Sequence, residues 1–126
     1  MKLSTISSDS KISTTVSKRE FQLAVERASL LAREDRANLI KLNVNESYID
    51  IKSNSEIGDV FEKVKTSEHD ETLDIAFNSR YILDGVKILE SEEIVLNFTD
   101  SVNPLIITEV EDDSYIYLVL PVRLAG

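Results

Sequence analysis

A chain of 126 residues is long enough for one domain with a single sizeable core. Its 42% hydrophobic and 29% charged content is that of an ordinary soluble protein, and no run approaches the ~18 apolar residues that span a bilayer. Fourteen Lys and Arg against 23 Asp and Glu give a formal net charge of −9, which argues against a surface that binds nucleic acid everywhere and allows only a local basic strip.

The start through Lys11 has no apolar stretch of signal-peptide length, and the absence of cysteine excludes disulfides and thiolate metal sites. A cytoplasmic protein is expected. Residues 1–11, rich in Ser and Thr, read as a linker or loose start, followed by one domain over residues 12–126. Residues 12–16 are short and β-branched, as in a strand. Ser17-Lys18-Arg19-Glu20 forms a capping box, whose hydroxyl and carboxylate satisfy free amides at a helix start. That helix is expected to reach about Arg33, with Phe21, Val25, Ala28 and Ala32 at core spacing. Three β-like segments follow at 39–44, 48–53 and 58–65, with turn chemistry at Asn45-Glu46 and 53–56.

The same order then recurs. Residues 72–77 alternate as a strand, and Asn78 or Ser79 caps a helix reaching about Leu89, with Ile82, Val86 and Leu89 in one stripe. Strand-like segments at 93–98, 105–110 and 115–120 complete the second half. Strand, helix and three strands thus occur twice, a repeat of pattern rather than of letters. The expected class is α+β: two strand–helix–three-strand units forming two antiparallel-rich sheets with two helices on one side.

At 100° per residue, the side of the first helix opposite Phe21, Val25 and Ala28 carries Arg19, Leu23, Glu26, Leu30 and Arg33. Leu23 and Leu30 on a face that should be wet have two readings. They are covered by a loop or simply exposed, or they mark a subunit contact. On the second helix the outer side carries Arg80, Asp84 and Lys87. This is a solvated face with its own charge pair, or a strip that runs along phosphates through locally concentrated potential.

No catalytic constellation is legible. The only histidine, His69, lies in the polar run Ser67-Glu68-His69-Asp70 and reads as a solvated loop residue rather than a metal ligand. Glu109, Glu111, Asp112 and Asp113 read as crowded surface charge in a hairpin. The only glycines, Gly58, Gly85 and Gly126, cannot assemble a phosphate-cradling loop. No metal, no cofactor and no enzymatic activity are expected. The ending is more informative. Residues 115–124 are strongly β-forming but contain Pro121, so pairing stops there or lies at an edge. The tail beyond it either lines a groove for an extended peptide or packs back onto its own domain.

Leu118-Val119-Leu120-Pro121-Val122-Arg123-Leu124 resembles the terminal signature of the β subunit of bacterial DNA polymerase III, the sliding clamp. Further stretches resemble the same family in the same order: Ala24-Val25-Glu26-Arg27-Ala28-Ser29-Leu30-Leu31-Ala32-Arg33-Glu34, Ser53-Asn54-Ser55-Glu56-Ile57-Gly58 and Phe77-Asn78-Ser79-Arg80-Tyr81-Ile82-Leu83-Asp84. The similarity is to the third of the family's three domains and runs from about Thr14 to Leu124.

The resemblance implies a DNA-clamp fold and a non-catalytic processivity factor, an accessory subunit of the polymerase. It implies a ring of two subunits closed head to tail around double-stranded DNA without sequence specificity. Arg80 and Lys87, with Arg19 and Arg33, would face DNA; Leu30 and Leu31 would meet the first domain of the other subunit. Short motifs of polymerase, clamp loader and repair proteins would dock in a pocket to which this domain gives Asn78, Tyr81, Val102, Pro104, Leu118, Val119, Leu120, Pro121, Val122, Arg123 and Leu124. With two domains missing, the isolated chain is expected to be monomeric or weakly associated and to hold such peptides poorly. The competing expectation is a stand-alone clamp-fold interaction domain that forms no ring.

Overall fold

Both halves begin with a strand that feeds directly into a helix, and that connectivity shapes the molecule. The computed structural model describes residues 11–32, 39–55, 58–110 and 116–123. Its elements are β1 (Ile12–Ser17), α1 (Lys18–Ala32), β2 (Leu39–Val44), β3 (Tyr48–Ser55) and β4 (Gly58–Lys65), then β5 (Leu73–Asn78), α2 (Ser79–Ile88), β6 (Glu93–Phe98), β7 (Leu105–Glu109) and β8 (Ile116–Val119). The α+β class and the repeated order of elements are as expected from sequence. The sheets, however, are not the two halves. A tight hairpin needs a short loop, and a helix separates β1 from β2 and β5 from β6. Each leading strand therefore pairs in the opposite half: β1 runs antiparallel to β6, with Ile12 opposite Phe98, and β5 runs antiparallel to β2, with Leu39 opposite Asn78. The result is two four-stranded antiparallel sheets, β1-β6-β7-β8 and β4-β3-β2-β5.

Alternation along the strands aims one face of each sheet inward. Ile40, Leu42, Ile49 and Ile51 from one sheet meet Ile94, Leu96, Leu105 and Ile107 from the other, all fully buried with Phe21, Phe77 and Phe98. Each of these aromatic side chains contributes about 2–3 kcal/mol through burial. The helices close the core, α1 against β3 and β4, α2 against β8 and β5, and each against the other. The Ser17 hydroxyl accepts the Glu20 amide at 3.2 Å, so the predicted cap starts α1. Asn78 is the cap of α2, its Oδ1 accepting the Arg80 amide at 2.9 Å. The helix stops one residue short of Leu89, which is extended and buried. At the predicted 53–56 turn, the β3–β4 ladder continues to Ser55 opposite Gly58.

Gly85 decides how closely α2 approaches β8. A Cβ there would overlap Cδ2 and Cε2 of Tyr117 and lie 2.7 Å from its Cγ. The ring therefore rests on bare helix backbone.

Each half ends by stitching the segment after its last strand to its own leading strand, which lies in the other sheet. After β4, Thr66 bridges to Val16 of β1, and the Ser67 amide donates to the Thr15 carbonyl at 3.0 Å. After β8, the Val122 amide donates to the Ala76 carbonyl of β5 at 2.8 Å. The first stitch is closed by hydroxyls, with Thr14 Oγ1 bonded to the Ser67 carbonyl. The second is a backbone bond between buried Ala76 and half-buried Val122.

Candidate functional site

Pro121 has no amide hydrogen to give to a ladder, and β8 ends at Val119, where Leu120 leaves the ladder. The chain then crosses to β5 and is held there by the Val122–Ala76 bond. The tail thus neither hangs free nor turns into the core. Along it, Leu118 and Leu120 stand exposed, the latter by 71%. Pro121 and Val122 are half-buried and Arg123 is exposed. Val119 points the other way, into the core, 1% exposed. Leu124 lies outside the described residues.

Beside the tail, the β6–β7 loop presents Val102, which is exposed, and Pro104, which is half-buried. Asp100 holds that loop. Its Oδ1 accepts the amides of Val102 and Asn103, each at 2.9 Å, and the Asn103 side chain donates to both carboxylate oxygens at 2.9 Å. The Val102 amide, ahead of the Asn103 groups, holds the Asp100 carboxyl below its ordinary pKa. The sequence reading missed this residue, although Asp100-Ser101-Val102-Asn103-Pro104 carries the Asx-turn signal that marks it. Tyr81, in the first turn of α2, is 54% exposed. It follows Asn78, whose capping bond leaves its amide NH2 as the group to offer a ligand. A cleft of about 580 Å³ runs between Val102, Val122 and Arg123 on one side and Lys41, Lys52 and Asp74 of the outer sheet face on the other. Tail, loop and sheet face therefore come together; the core position of Val119 leaves only its backbone near them.

On α1, Leu30 is 59% exposed and Leu23 is also exposed, so neither is covered by a loop. Between them Arg27 pairs with Glu62 of β4 at 2.9 Å, and Phe61, on the same edge strand, is exposed. Phe61 was not singled out from sequence, although it breaks the alternation of β4 by standing in phase with Asp59 and Lys63; sheet order reveals the edge. The side chain of Leu31 and all of Arg33 lie outside the described residues. Arg19, Arg80 and Lys87 are exposed on their helices.

Two sequence readings need correction. His69 is not a solvated loop residue: its backbone amide donates to the Glu46 carbonyl at 3.0 Å, folding the loop over the β2–β3 turn, and both ring nitrogens are shielded from solvent. Glu109 is not idle surface charge, since its Oε2 accepts the amides of Glu90 and Ser91 at 3.0 and 3.3 Å and so fixes the chain leaving α2. Glu111, Asp112 and Asp113 lie outside the described residues. Among the described residues no cluster of three His, Asp or Glu converges as for a metal ion, and no helix is long and apolar enough to cross a membrane.

Comparison with known proteins agrees with this geometry. Residues 4–123 match the family described as DNA polymerase III beta subunit, C-terminal domain. The beta sliding clamp of Bacillus subtilis (strain 168) is 43% identical over 123 residues, covering 95% of this chain and 32% of that protein. That of Staphylococcus aureus is 37% identical over 115 residues, covering 90% and 30%. The crystal structure of the DNA polymerase III beta subunit of Thermotoga maritima superposes with a TM-score of 0.87 at 33% identity, over 92% of this chain and 32% of that one. The chain therefore spans about a third of the length of these relatives. It belongs to the family of the C-terminal domain of the DNA polymerase III beta subunit.

Proposed function

We propose that the chain serves as the third domain of a ring-shaped sliding clamp, over residues 12–126, and works in the cytoplasm as a docking platform rather than a catalyst. The observation that carries this is the pinned tail. Leu118 and Leu120 are exposed beside Val102, on backbone held at both ends by β8 and the Ala76 bond. Such a surface is built for an extended peptide with apolar anchors, each worth ~1.5–3 kcal/mol when fully buried. Tyr81, Pro104, Pro121 and Val122 extend it, Asn78 and Arg123 supply donors, and Leu124 continues the tail. The peptides are the short motifs of polymerase, clamp loader and repair proteins.

Ring closure uses the α1–β4 side. β4 is a sheet edge, Phe61 and Leu30 are exposed next to it, and Arg27–Glu62 ties helix to strand. An unpaired edge flanked by apolar side chains calls for a neighbouring domain. Leu31 joins that contact. Arg80 and Lys87, with Arg19 and Arg33, meet DNA phosphates without reading sequence. A polypeptide of this one domain is monomeric or weakly associated and holds peptides weakly.

The test is a chemical-shift map of the isotopically labelled chain titrated with a generic clamp-binding peptide. Shifts confined to Tyr81, Val102, Leu118 and Leu120 and their neighbours support the docking surface. Shifts that leave these residues unmoved, or none at millimolar peptide, exclude it.

A further inference from the structure

The outer face of the β4-β3-β2-β5 sheet carries a charge opposite to that of the molecule as a whole. Register places Lys41 of β2 directly opposite Lys52 of β3, with Ala76 of β5 next on one side and Phe61 of β4 on the other. Like charges directly opposite across antiparallel strands are unfavourable, and the carboxylates of the next row, Asp50 and Asp74, stand opposite Asn43 rather than a lysine. Lys52 holds its ammonium 5.6 Å from the centre of the Phe61 ring. Arg123, on the tail, borders the same cleft. Its single carboxylate, Asp74, is already engaged by the Asn43 side-chain amide. Three cations and one carboxylate thus line a cleft in a chain of net charge −9.

We propose that this cleft receives the acidic residues that flank the apolar anchor of a docked peptide. The inference rests on the peptide-docking reading above, because the cleft's other wall, Val102 and Val122, is the wall of the apolar site. A carboxylate between Lys41 and Lys52 removes their mutual repulsion and gains two charge-assisted contacts. A chain laid beside β5 alternates its side chains, so apolar and acidic positions reach the two walls from one extended segment. Phosphate backbones are the competing polyanion. The apolar wall disfavours them, since it gives a nucleic acid backbone nothing to bind.

The experiment titrates the labelled 126-residue chain with peptides sharing one apolar anchor and carrying glutamines, glutamates before the anchor, or glutamates after it. The expected result is that the glutamine peptide moves the Tyr81, Val102 and Leu118 amides. One glutamate peptide moves Lys41, Asn43 and Lys52 as well and binds about fivefold tighter at low salt, an advantage lost at high salt. The double variant K41Q/K52Q brings the acidic peptide to the affinity of the glutamine one. Equal affinity of all three peptides at the tail overturns the acidic subsite and leaves the docking surface standing. If no peptide moves the tail residues, the docking reading fails and this inference with it. A single-stranded oligonucleotide that shifts Lys41 and Lys52 as strongly as the acidic peptide assigns the cleft to phosphate and overturns it too.

Discussion

Replacing Gly85 by alanine tests whether the approach of α2 to β8 is as close as described. In an ordinary helix this change is favourable, since Gly is ~1 kcal/mol worse than Ala in a helix interior. Here the added methyl overlaps two atoms of the Tyr117 ring and lies 2.7 Å from its Cγ, so turning the ring about its own axis does not clear it. Either Tyr117 leaves its half-buried place against the core or α2 lifts from β8. Overpacking of this kind costs about 1–3 kcal/mol, and an overlap reaching Cγ belongs at the upper end. Subtracting the helix gain leaves a net loss of about 2 kcal/mol, or roughly 6–10 °C in Tm for a domain of this size. Thermal and urea unfolding measure it, and a double-mutant cycle with Tyr117→Ala isolates the contact. With the ring gone, Gly85→Ala should turn stabilising by about 1 kcal/mol. A Gly85→Ala protein as stable as the parent, or a loss unchanged by Tyr117→Ala, refutes the packing argument.

Asn78 offers a separation of roles. Asn78→Ala removes the α2 cap and should lower stability by about 1 kcal/mol, whereas Asn78→Asp keeps the capping oxygen and should weaken peptide binding with little change in Tm. Leu30→Lys should alter the stability of the isolated chain by less than about 0.5 kcal/mol, because the side chain is exposed. Carried into a three-domain clamp, the same change should convert dimer to monomer in sedimentation. Asp100 gives a pH signature. Its carboxyl is held below the ordinary aspartate value by the Val102 amide and then the Asn103 groups. Its contribution is thus fully present above the unfolded pKa of about 3.9. That contribution is lost as pH falls through the lower folded value. An acid titration of the Val102 and Asn103 amide shifts should show a midpoint below that of a free aspartate; a midpoint at or above it contradicts the turn.

Local chemistry was legible because it is local. Period-two alternation, the Ser17 and Asn78 caps and the arrest of β8 before Pro121 each depend on neighbours a few residues away, and they set element type and boundaries to within a residue or two. The helix plot likewise marked Leu23 and Leu30 as apolar residues facing outward. The candidate site's tail residues were named from resemblance, but Asp100 and Phe61 were passed over. One acts by holding Val102 and the other by lying on a sheet edge.

What only tertiary structure decided is pairing between distant segments. That β1 joins β6 and β5 joins β2 follows from closing one core over both halves, and no single strand encodes its partner. Assembly also brings Ala76 to Val122, 46 positions apart in the chain, whereas Lys41 comes opposite Lys52 through the local β2–β3 hairpin. Hydrophobic burial is non-directional. Pattern alone therefore states which face turns inward, and only the assembled sheets state what lies beside it.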